Sequence, residues 1–208
     1  RPDSAMSTDA SMILVSSMAT RAILNAALEA CRLATGVAVH LKPMGGVDAA
    51  AYVRSGGLAD IVLLAEGAMT RLAAEGHVVE ASLTRFARSR LAFAVPERAT
   101  RPDLSSLAGV RAAMLAARAV CYSTGPSGDH LKALWAAWGI ADAMAAKAVQ
   151  TPPGVPVARL VAEGAADLGL QQVSEMIGQP GIALITDLPE EVQAETIFTG
   201  GVLAAGHH

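Results

Sequence analysis

The stretch Tyr122-Ser123-Thr124-Gly125-Pro126-Ser127-Gly128 decides the fold, because it stands where a buried strand turns into a helix. The apolar run Ala119-Val120-Cys121 before it is typical of a short strand, and a helical apolar pattern follows from Leu131. Proline suits a first helical turn, and glycine supplies a free φ. Since a helix start carries unpaired backbone N–H groups and the positive end of the helix dipole, this hydroxyl-rich stretch predicts an anion site.

A second junction of the same kind lies near the start of the chain. The apolar run Met12–Val15 is followed by Ser16-Ser17-Met18-Ala19-Thr20-Arg21 and then by a helical pattern. A helix cap needs one hydroxyl, whereas three occur here beside an arginine that can pair with a carboxylate. The turn Gly45-Gly46 follows the second predicted strand and would let backbone N–H groups approach a ligand. The two junctions predict one anion held from two sides.

Composition and charge narrow the class of protein. Of the 208 residues, 52% are hydrophobic but only 3% are aromatic, so the core must be built mainly from aliphatic side chains. The formal net charge of −3 comes without a basic stripe, which argues against nucleic-acid binding. No apolar run approaches the roughly 20 residues of a membrane span, and the histidines lack metal-ligand spacing. We therefore expect neither a membrane-spanning segment nor a bound metal or cofactor.

Short apolar runs alternate with helical patterns along the chain. This alternation is typical of parallel strands with crossover helices, in which ligands bind beyond the carboxyl ends of the strands. The predicted strands are Met12–Ser17, Val37–Lys42, Asp60–Ala65, Arg90–Val95, Val120–Ser123, Ala148–Thr151, Ala166–Leu170, Gly181–Ile185 and Thr196–Val202. The predicted helices are Met18–Thr35, Val47–Ser55, Ala68–Glu75, Asp103–Ala117, Ser127–Gly139, Val155–Glu163 and Ser174–Ile177.

The pattern divides into two βαβ units, from Ser11 to about Ser89 and from Leu104 to about Leu188. The strand Leu91–Pro96 lies between them, and the strand Ile197–Val202 lies near the end. Two strands running between two lobes would form a hinge beside a cleft. We predict lobe 1 from 11–90 plus 197–208 and lobe 2 from 91–196.

Several segments, in this order and spacing, resemble the type II periplasmic solute-binding proteins, and within them the molybdate-binding-protein-like branch. These segments are the serine-ended first strand Ser16-Ser17, the turn Gly45-Gly46, the aspartate-led strand Asp60–Ala65, the crossover strand Arg88–Pro96 and the stretch Val161–Gly169. The resemblance runs from Ile13 to Ala204. It implies an α/β fold of two Rossmann-like lobes joined by two crossover strands. It also implies a periplasmic monomer that binds a small anionic ligand without a cofactor and serves a membrane ABC transporter permease.

Departures from the molybdate site predict a different ligand. The hydroxyl-rich turn Ser123–Gly128 stands where that family has a valine–proline turn, and Gln171-Gln172 stands where it has a tyrosine. Amide and guanidinium donors match two in-plane oxygens, so these glutamines and Arg21 favour a di- or tricarboxylate over a tetrahedral oxyanion. The resemblance extends to a sub-branch that includes isomerases of the aconitate type.

Three functions follow as hypotheses. The first is a solute receptor for an organic anion. The second is a cofactor-independent isomerase that moves a proton on an unsaturated tricarboxylate, and the third is a molybdate or tungstate receptor. The candidate ligand-binding residues are Ser16, Ser17, Thr20, Arg21, Gly45, Gly46, Tyr122, Ser123, Thr124, Ser127, Gly128, Pro153, Val155, Gln171 and Gln172. Only an isomerase would need catalytic residues, for which Glu175, Tyr122 and Ser127 are the candidates.

Each candidate also has a structural interpretation. The hydroxyls can cap helices, the turn around Pro153 and Val155 can be a connector, and Glu175 can be the acidic residue of a first helical turn. Cys31 and Cys121 are interpreted as buried free thiols. The polar stretch Arg1–Asp9 shows no signal-peptide pattern and is interpreted as a remnant before the mature protein. His207-His208 are interpreted as native residues or the start of a tag, and the resemblance leads us to expect that the final helix of the family is missing from this chain or disordered.

Overall fold

The computed structural model describes residues 11–206. Its strands are β1 (Met12–Ser17), β2 (Val39–Met44), β3 (Ile61–Ala65), β4 (Thr84–Ser89), β5 (Leu91–Pro96), β6 (Val120–Tyr122), β7 (Ala148–Gln150), β8 (Leu168–Gln172), β9 (Ile182–Ile185) and β10 (Thr196–Val202). Its α-helices are α1 (Arg21–Thr35), α2 (Gly46–Arg54), α3 (Glu66–Ala74), α4 (Leu107–Ala116), α5 (Pro126–Ala137), α6 (Ala141–Ala145), α7 (Val157–Ala162) and α8 (Val173–Met176). Short 3₁₀ turns cover Met18–Thr20 and Glu80–Ser82.

The chain forms two compact units. The first contains the chain up to Phe86 and again from Phe198, and the second is Ala87–Ile197. The boundaries fall inside β4 and β10. The strand β5, which the sequence predicts as a crossing between lobes, lies within the second unit and pairs with β8 and β9. A hinge at the crossing strands stays a prediction.

The first unit is built on a sheet with the strand order β2-β1-β3-β10-β4. Strands β1, β2 and β3 run parallel, and β10 runs antiparallel to β3. Val15, Val62, Leu64, Met69 and Leu72 pack in its core with no more than a trace of exposed surface. Because parallel strands end at one edge, this register brings the starts of the 3₁₀ turn, α2 and α3 to the same edge of the sheet.

The second unit is built on a sheet with the order β7-β6-β8-β5-β9. Strands β6, β7 and β8 are parallel, and β5 is antiparallel to both neighbours. Helices cover both faces, so β5 is a nearly continuous buried apolar run. A Cβ on Gly169 would lie 2.4 Å from Val157 Cγ1, so glycine at this position lets α7 pack directly on β8.

The α/β class and the division into separate sheets are confirmed, whereas the expectations for β4 and Cys31 are wrong. Strand β4 was not predicted, because the charged residues of Thr84–Ser89 break the apolar pattern of a strand. An exposed strand at the edge of a sheet tolerates such residues. Cys31 is exposed on α1 instead of buried, whereas Cys121 is buried and burial raises its thiol pKa to about 12.

None of the described helices is long and apolar enough to cross a membrane. The interpretations of Arg1–Asp9 and His207-His208 lie outside the described residues.

Candidate functional site

The carboxyl edge of the second unit gathers the predicted residues of that unit. Tyr122 pairs in register with Gln150 of β7 and Leu170 of β8, so the segments that follow these three strands leave the sheet side by side. The residues that this edge brings together are Tyr122, Ser123, Thr124, Ser127, Gly128, Pro153, Val155, Gln171, Gln172 and Glu175.

The start of α5 offers hydroxyl and N–H donors at this edge. Gly125 is the N-cap and Pro126 opens the helix. Ser123 Oγ lies 3.0 Å from Ser127 Oγ and accepts a 3.4 Å hydrogen bond from Gly125 N. Two hydroxyls that share one hydrogen bond leave one proton free to donate. The Thr124 hydroxyl has no partner among residues 11–206 and adds a second free donor.

Gly128 is required by the shape of this loop. A Cβ at this position would lie 1.9 Å from the carbonyl oxygen of Ser123 and 3.0 Å from Tyr122 Cδ2. Real Cβ atoms do not approach a backbone oxygen so closely. The glycine therefore lets the Ser123 backbone fold against the first turn of α5, which places the Ser123 hydroxyl beside Ser127.

Tyr122 and its neighbour Thr151 hold the middle of the edge. The Tyr122 ring meets Trp135 edge-on, at 5.6 Å between centroids and an angle of 89°, so it packs against the core. Its carbonyl accepts a 2.9 Å hydrogen bond from Thr151 N. Thr151 is 2% exposed and was not among the predicted site residues. Its position gave a signal, since it follows β7 as Ser123 follows β6.

The loop before α7 is a tight turn. Val155 N donates to Pro152 O at 3.0 Å, and Gly154 adopts φ 77°. Proline at 153 followed by glycine with positive φ is the pattern of a type II turn. Pro153 is exposed and Val155 is half-buried. These contacts fit the connector interpretation of both residues, and a ligand contact for either stays a prediction.

The two glutamines at the end of β8 point to opposite faces and are both 3% exposed. Gln171 Oε1 accepts a 3.0 Å hydrogen bond from Val157 N, so this side chain caps the start of α7. Gln172 Nε2 donates to Thr196 Oγ1, while Gln172 Oε1 is buried without a partner among the described residues. Each amide thus has one polar group fixed by the protein.

Glu175 is the acidic residue in the first turn of α8. Part of its side chain stays exposed, but the atoms around it solvate the carboxyl poorly. This burial raises the pKa of Glu175 to about 7, and a hydrogen bond from the Gln171 side chain partly opposes the increase. The carboxyl can therefore hold or release a proton near neutral pH, as a general acid or base must.

The carboxyl edge of the first unit uses most of its hydroxyls for local structure. Ser16 Oγ and Thr20 Oγ1 both donate to Ser17 O, at 3.2 and 3.1 Å, and these two side chains have at most 1% of their surface exposed. Ser17 Oγ accepts from Ala19 N at 3.2 Å, which caps the 3₁₀ turn. Its own proton has no acceptor among residues 11–206. Ser17 is thus the hydroxyl of this edge that can still donate.

Arg21 and the paired glycines complete this first edge. Arg21 is exposed and forms no ion pair among residues 11–206. Gly45 is the N-cap of α2, and Gly46 is exposed in the first turn of α2 with open space where a Cβ would be. The first N–H groups of a helix have no intrahelical partner, so those of α2 are available here. No cluster of three or more potential metal ligands occurs among the described residues.

Comparison with known proteins assigns the family. Residues 13–208 match the family of bacterial extracellular solute-binding proteins. The chain belongs to this family. An aconitate isomerase from Pseudomonas sp. is 33% identical over 151 residues, which are 72% of this chain and 57% of that protein. The chain thus spans little more than half the length of this relative.

Solved structures agree on the fold. The periplasmic molybdate-binding protein of Azotobacter vinelandii superposes with a TM-score of 0.78 and 17% identity, covering 95% of this chain and 87% of that one. Iron-bound HitA from Pseudomonas aeruginosa gives a TM-score of 0.63 at 14% identity, covering 95% and 76%. The family match, the isomerase and the molybdate-binding neighbour confirm the resemblance to type II periplasmic binding proteins, with their two-lobed fold. At these identities the structures show the fold alone, and their different ligands do not identify the ligand of this chain.

Proposed function

We propose that this solute-binding protein binds a small organic anion with two or three carboxylates. The observation that carries the proposal is the start of α5, where the Ser123–Ser127 hydroxyl pair and Thr124 have protons to donate at the carboxyl edge of parallel strands. A hydrogen bond to a charged oxygen contributes about 1.5–3 kcal/mol. Two or three such donors suit a carboxylate without any metal.

Additional donors support a carboxylate rather than a compact tetrahedral ion. Gln171 and Gln172 end β8 at this edge of the second unit; the Gln171 oxygen accepts from Val157 N and the Gln172 nitrogen donates to Thr196, so each amide nitrogen still has an N–H to donate. Arg21, at the edge of the first unit, forms no ion pair among residues 11–206. A guanidinium matches the two in-plane oxygens of a carboxylate through parallel hydrogen bonds. The identity with an aconitate isomerase makes the tricarboxylate aconitate the first compound to test.

Calorimetric titration of cis- and trans-aconitate tests the proposed site. We expect Ser127→Ala to weaken binding at least several-fold, because it removes one member of the hydroxyl pair. Ser17→Ala should act similarly at the first edge, whereas Ser16→Ala should change affinity less, because the Ser16 proton already bonds to Ser17 O. Ser55→Ala, at the exposed C-terminal end of α2, is the control. Unchanged affinity in both Ser127→Ala and Ser17→Ala would remove these edges from the site.

The second candidate is an isomerase that shifts a proton within an unsaturated tricarboxylate. The carboxyl of Glu175, with a pKa near 7, favours it as the general base, and the relative named above adds weight. Tyr122 and Ser127 are the other candidate catalytic residues at this edge. Deuterium incorporation into cis-aconitate, followed by NMR in deuterated buffer, tests turnover. A rate that Glu175→Gln abolishes while binding persists would establish the isomerase, and binding without exchange would leave a receptor.

The receptor function includes a membrane partner. We propose that the protein works in the periplasm and delivers its ligand to an ABC transporter permease, as its family membership suggests. Ligand-dependent stimulation of ATP hydrolysis by the reconstituted transporter from the source genome tests this part. A molybdate or tungstate receptor remains the third hypothesis, and the same titrations test it when these oxyanions replace aconitate.

A further inference from the structure

Helix α1 covers one face of the sheet of the first unit by itself. Its residue Leu24 packs against Leu14 and Leu63 of that sheet. Helices α2 and α3 pack on the opposite face, whose core contains Val62 and Leu64. One helix is too narrow to cover a sheet of five strands. The α1 side of this sheet is therefore less well covered than the other side.

The exposed surface of α1 is apolar. Leu24 is the buried residue of this helix. Ile23 and Leu33 have 49% and 72% of their surface exposed, and Val37, just after the helix, has 39%. A soluble helix normally turns charged residues to water instead. The charged residues of α1 lie about 100° or more around the helix from Ala30, at the centre of this stripe. They are Arg21, Glu29 and Arg32.

A strip of the sheet beside α1 is also apolar and open. Val202 of β10 pairs directly with Ile61 of β3, so both side chains point to the same face. Ile61 packs at the border of the Leu24 cluster and is half-buried, and Val202 is 46% exposed. In a right-handed β1–α1–β2 crossover with Leu24 turned to the sheet, Ala30 turns toward β3 and β10. The apolar stripe of α1 thus adjoins this strip of sheet.

The stripe is complementary to itself. Ala26, Ala30 and Ala34 are exposed at four-residue spacing, so they lie in one row along the helix. When two copies of α1 are placed antiparallel about a two-fold axis at Ala30, Ala26 meets Ala34 of the second copy. In the same arrangement Leu33 meets the smaller Ala27. Small residues let two helices approach closely, and antiparallel helix dipoles attract each other.

The size of the surface suits a second copy. The 15 residues of α1 form a helix about 22 Å long and about 11 Å across. One side of this helix and an equally wide strip of sheet offer about 500 Å² per copy, or about 1,000 Å² in a dimer, which is the lower limit for a specific interface. We propose that two copies of this protein form a two-fold symmetric dimer through α1 and the adjoining sheet. This dimer is an alternative to the monomer that the family resemblance implies, and it does not depend on the proposed ligand.

Sedimentation velocity of the whole chain tests the inference. An interface of this size predicts a dimer that dissociates on dilution, so the protein is measured from about 1 to about 100 µM. Ala30→Glu places two like charges against each other at the two-fold axis and should raise the dissociation constant at least tenfold. Ala112→Glu, at an exposed position of α4 in the other unit, is the matched control and should dimerise like the wild type. Circular dichroism shows whether each variant is folded, and Leu33→Gln replaces Ala30→Glu if that variant is not.

A mixture of two variants tests the symmetry of the contact. Ala30→Glu and Ala30→Lys should each be monomeric alone, whereas their equimolar mixture should form a dimer, because residue 30 meets its own copy. A wild-type protein that stays monomeric at about 100 µM would overturn the inference and leave this face to another occupant or to solvent. Equal dissociation constants for Ala30→Glu and Ala112→Glu would also overturn it, because the dimer would then use a different surface.

Discussion

Replacing Glu175 with glutamine should stabilise the ligand-free protein at alkaline pH and have little effect at acidic pH. Burial raises the pKa of this carboxyl from 4.5 to about 7 in the folded protein. Between these two values the folded state binds more protons than the unfolded state. The free energy of unfolding therefore falls as pH rises through this window. Below about pH 4.5 both states are protonated and Glu175 costs nothing.

The size of the effect follows from the shift. A difference of about 2.5 pKa units at about 1.36 kcal/mol per unit is at most about 3 kcal/mol of stability lost above pH 7. The partly exposed side chain is screened by water, so the measured loss should be smaller than this limit. Glutamine carries no charge and can still accept from Gln171, so it should recover most of the loss.

Urea denaturation at about pH 5 and pH 8 measures the effect. We expect the difference in unfolding free energy between Glu175→Gln and the wild type to grow by about 1–3 kcal/mol between these conditions. The same comparison for Glu163→Gln should show no such growth, because Glu163 is exposed and paired with Arg159. A difference for Glu175→Gln that does not change with pH would show that the carboxyl is not desolvated, and the reasoning about its ionisation would fail.

Two further predictions concern backbone geometry and helix capping. Gly128→Ala should lower the free energy of unfolding, measured by urea denaturation, by several kcal/mol, because its Cβ would lie 1.9 Å from Ser123 O. Gly46→Ala should be neutral or stabilising, because its Cβ meets open space. Equal stabilities of the two variants would contradict this. Gln171→Leu should lower the free energy of unfolding by about 1–3 kcal/mol, because it leaves Val157 N without an acceptor. It should also raise the pKa of Glu175 further, which ¹³C-NMR titration of the carboxyl measures. An unshifted titration would exclude the hydrogen bond between the two side chains.

The arrangement of elements was largely predictable because apolar runs in this chain are short and bounded by polar residues. Strands β1 and β10 have the predicted ends, Met12–Ser17 and Thr196–Val202. Strand β8 was predicted to end at Leu170 but continues to Gln172, because Leu91 of β5 pairs with Gln172 across the sheet. Pairing with a distant strand can extend a strand into polar residues, and the local hydrophobic pattern of the sequence does not predict this extension.

The candidate site was predictable in position but not in the role of each side chain. A hydroxyl after a strand can cap a helix or bind a ligand, and only its hydrogen-bond partners distinguish the two. Ser16 and Thr20 both donate to Ser17 O, which leaves Ser17 as the available hydroxyl. Thr151 escaped prediction because it comes before a proline-rich turn, although the register places it beside Ser123.

The raised pKa of Glu175 likewise could not be predicted from the sequence. Its position in the first turn of α8 was foreseen as one structural interpretation. Desolvation, however, depends on the packing of α8 against β8 and β5, and Arg90, whose carbonyl accepts from Val173 N, is paired with Glu190. Whether a carboxyl titrates near neutral pH is decided by such contacts.

The central claim is that this solute-binding protein binds an organic polycarboxylate. Thermal unfolding of the wild-type protein at about pH 6, with trans-aconitate and molybdate compared at equal concentrations, tests it most directly. A ligand that binds only the folded state raises the melting temperature in proportion to the logarithm of its concentration above Kd. We expect a clear increase with trans-aconitate and a smaller one, or none, with molybdate. A larger increase with molybdate than with any organic acid would contradict the claim and place the chain among oxyanion receptors.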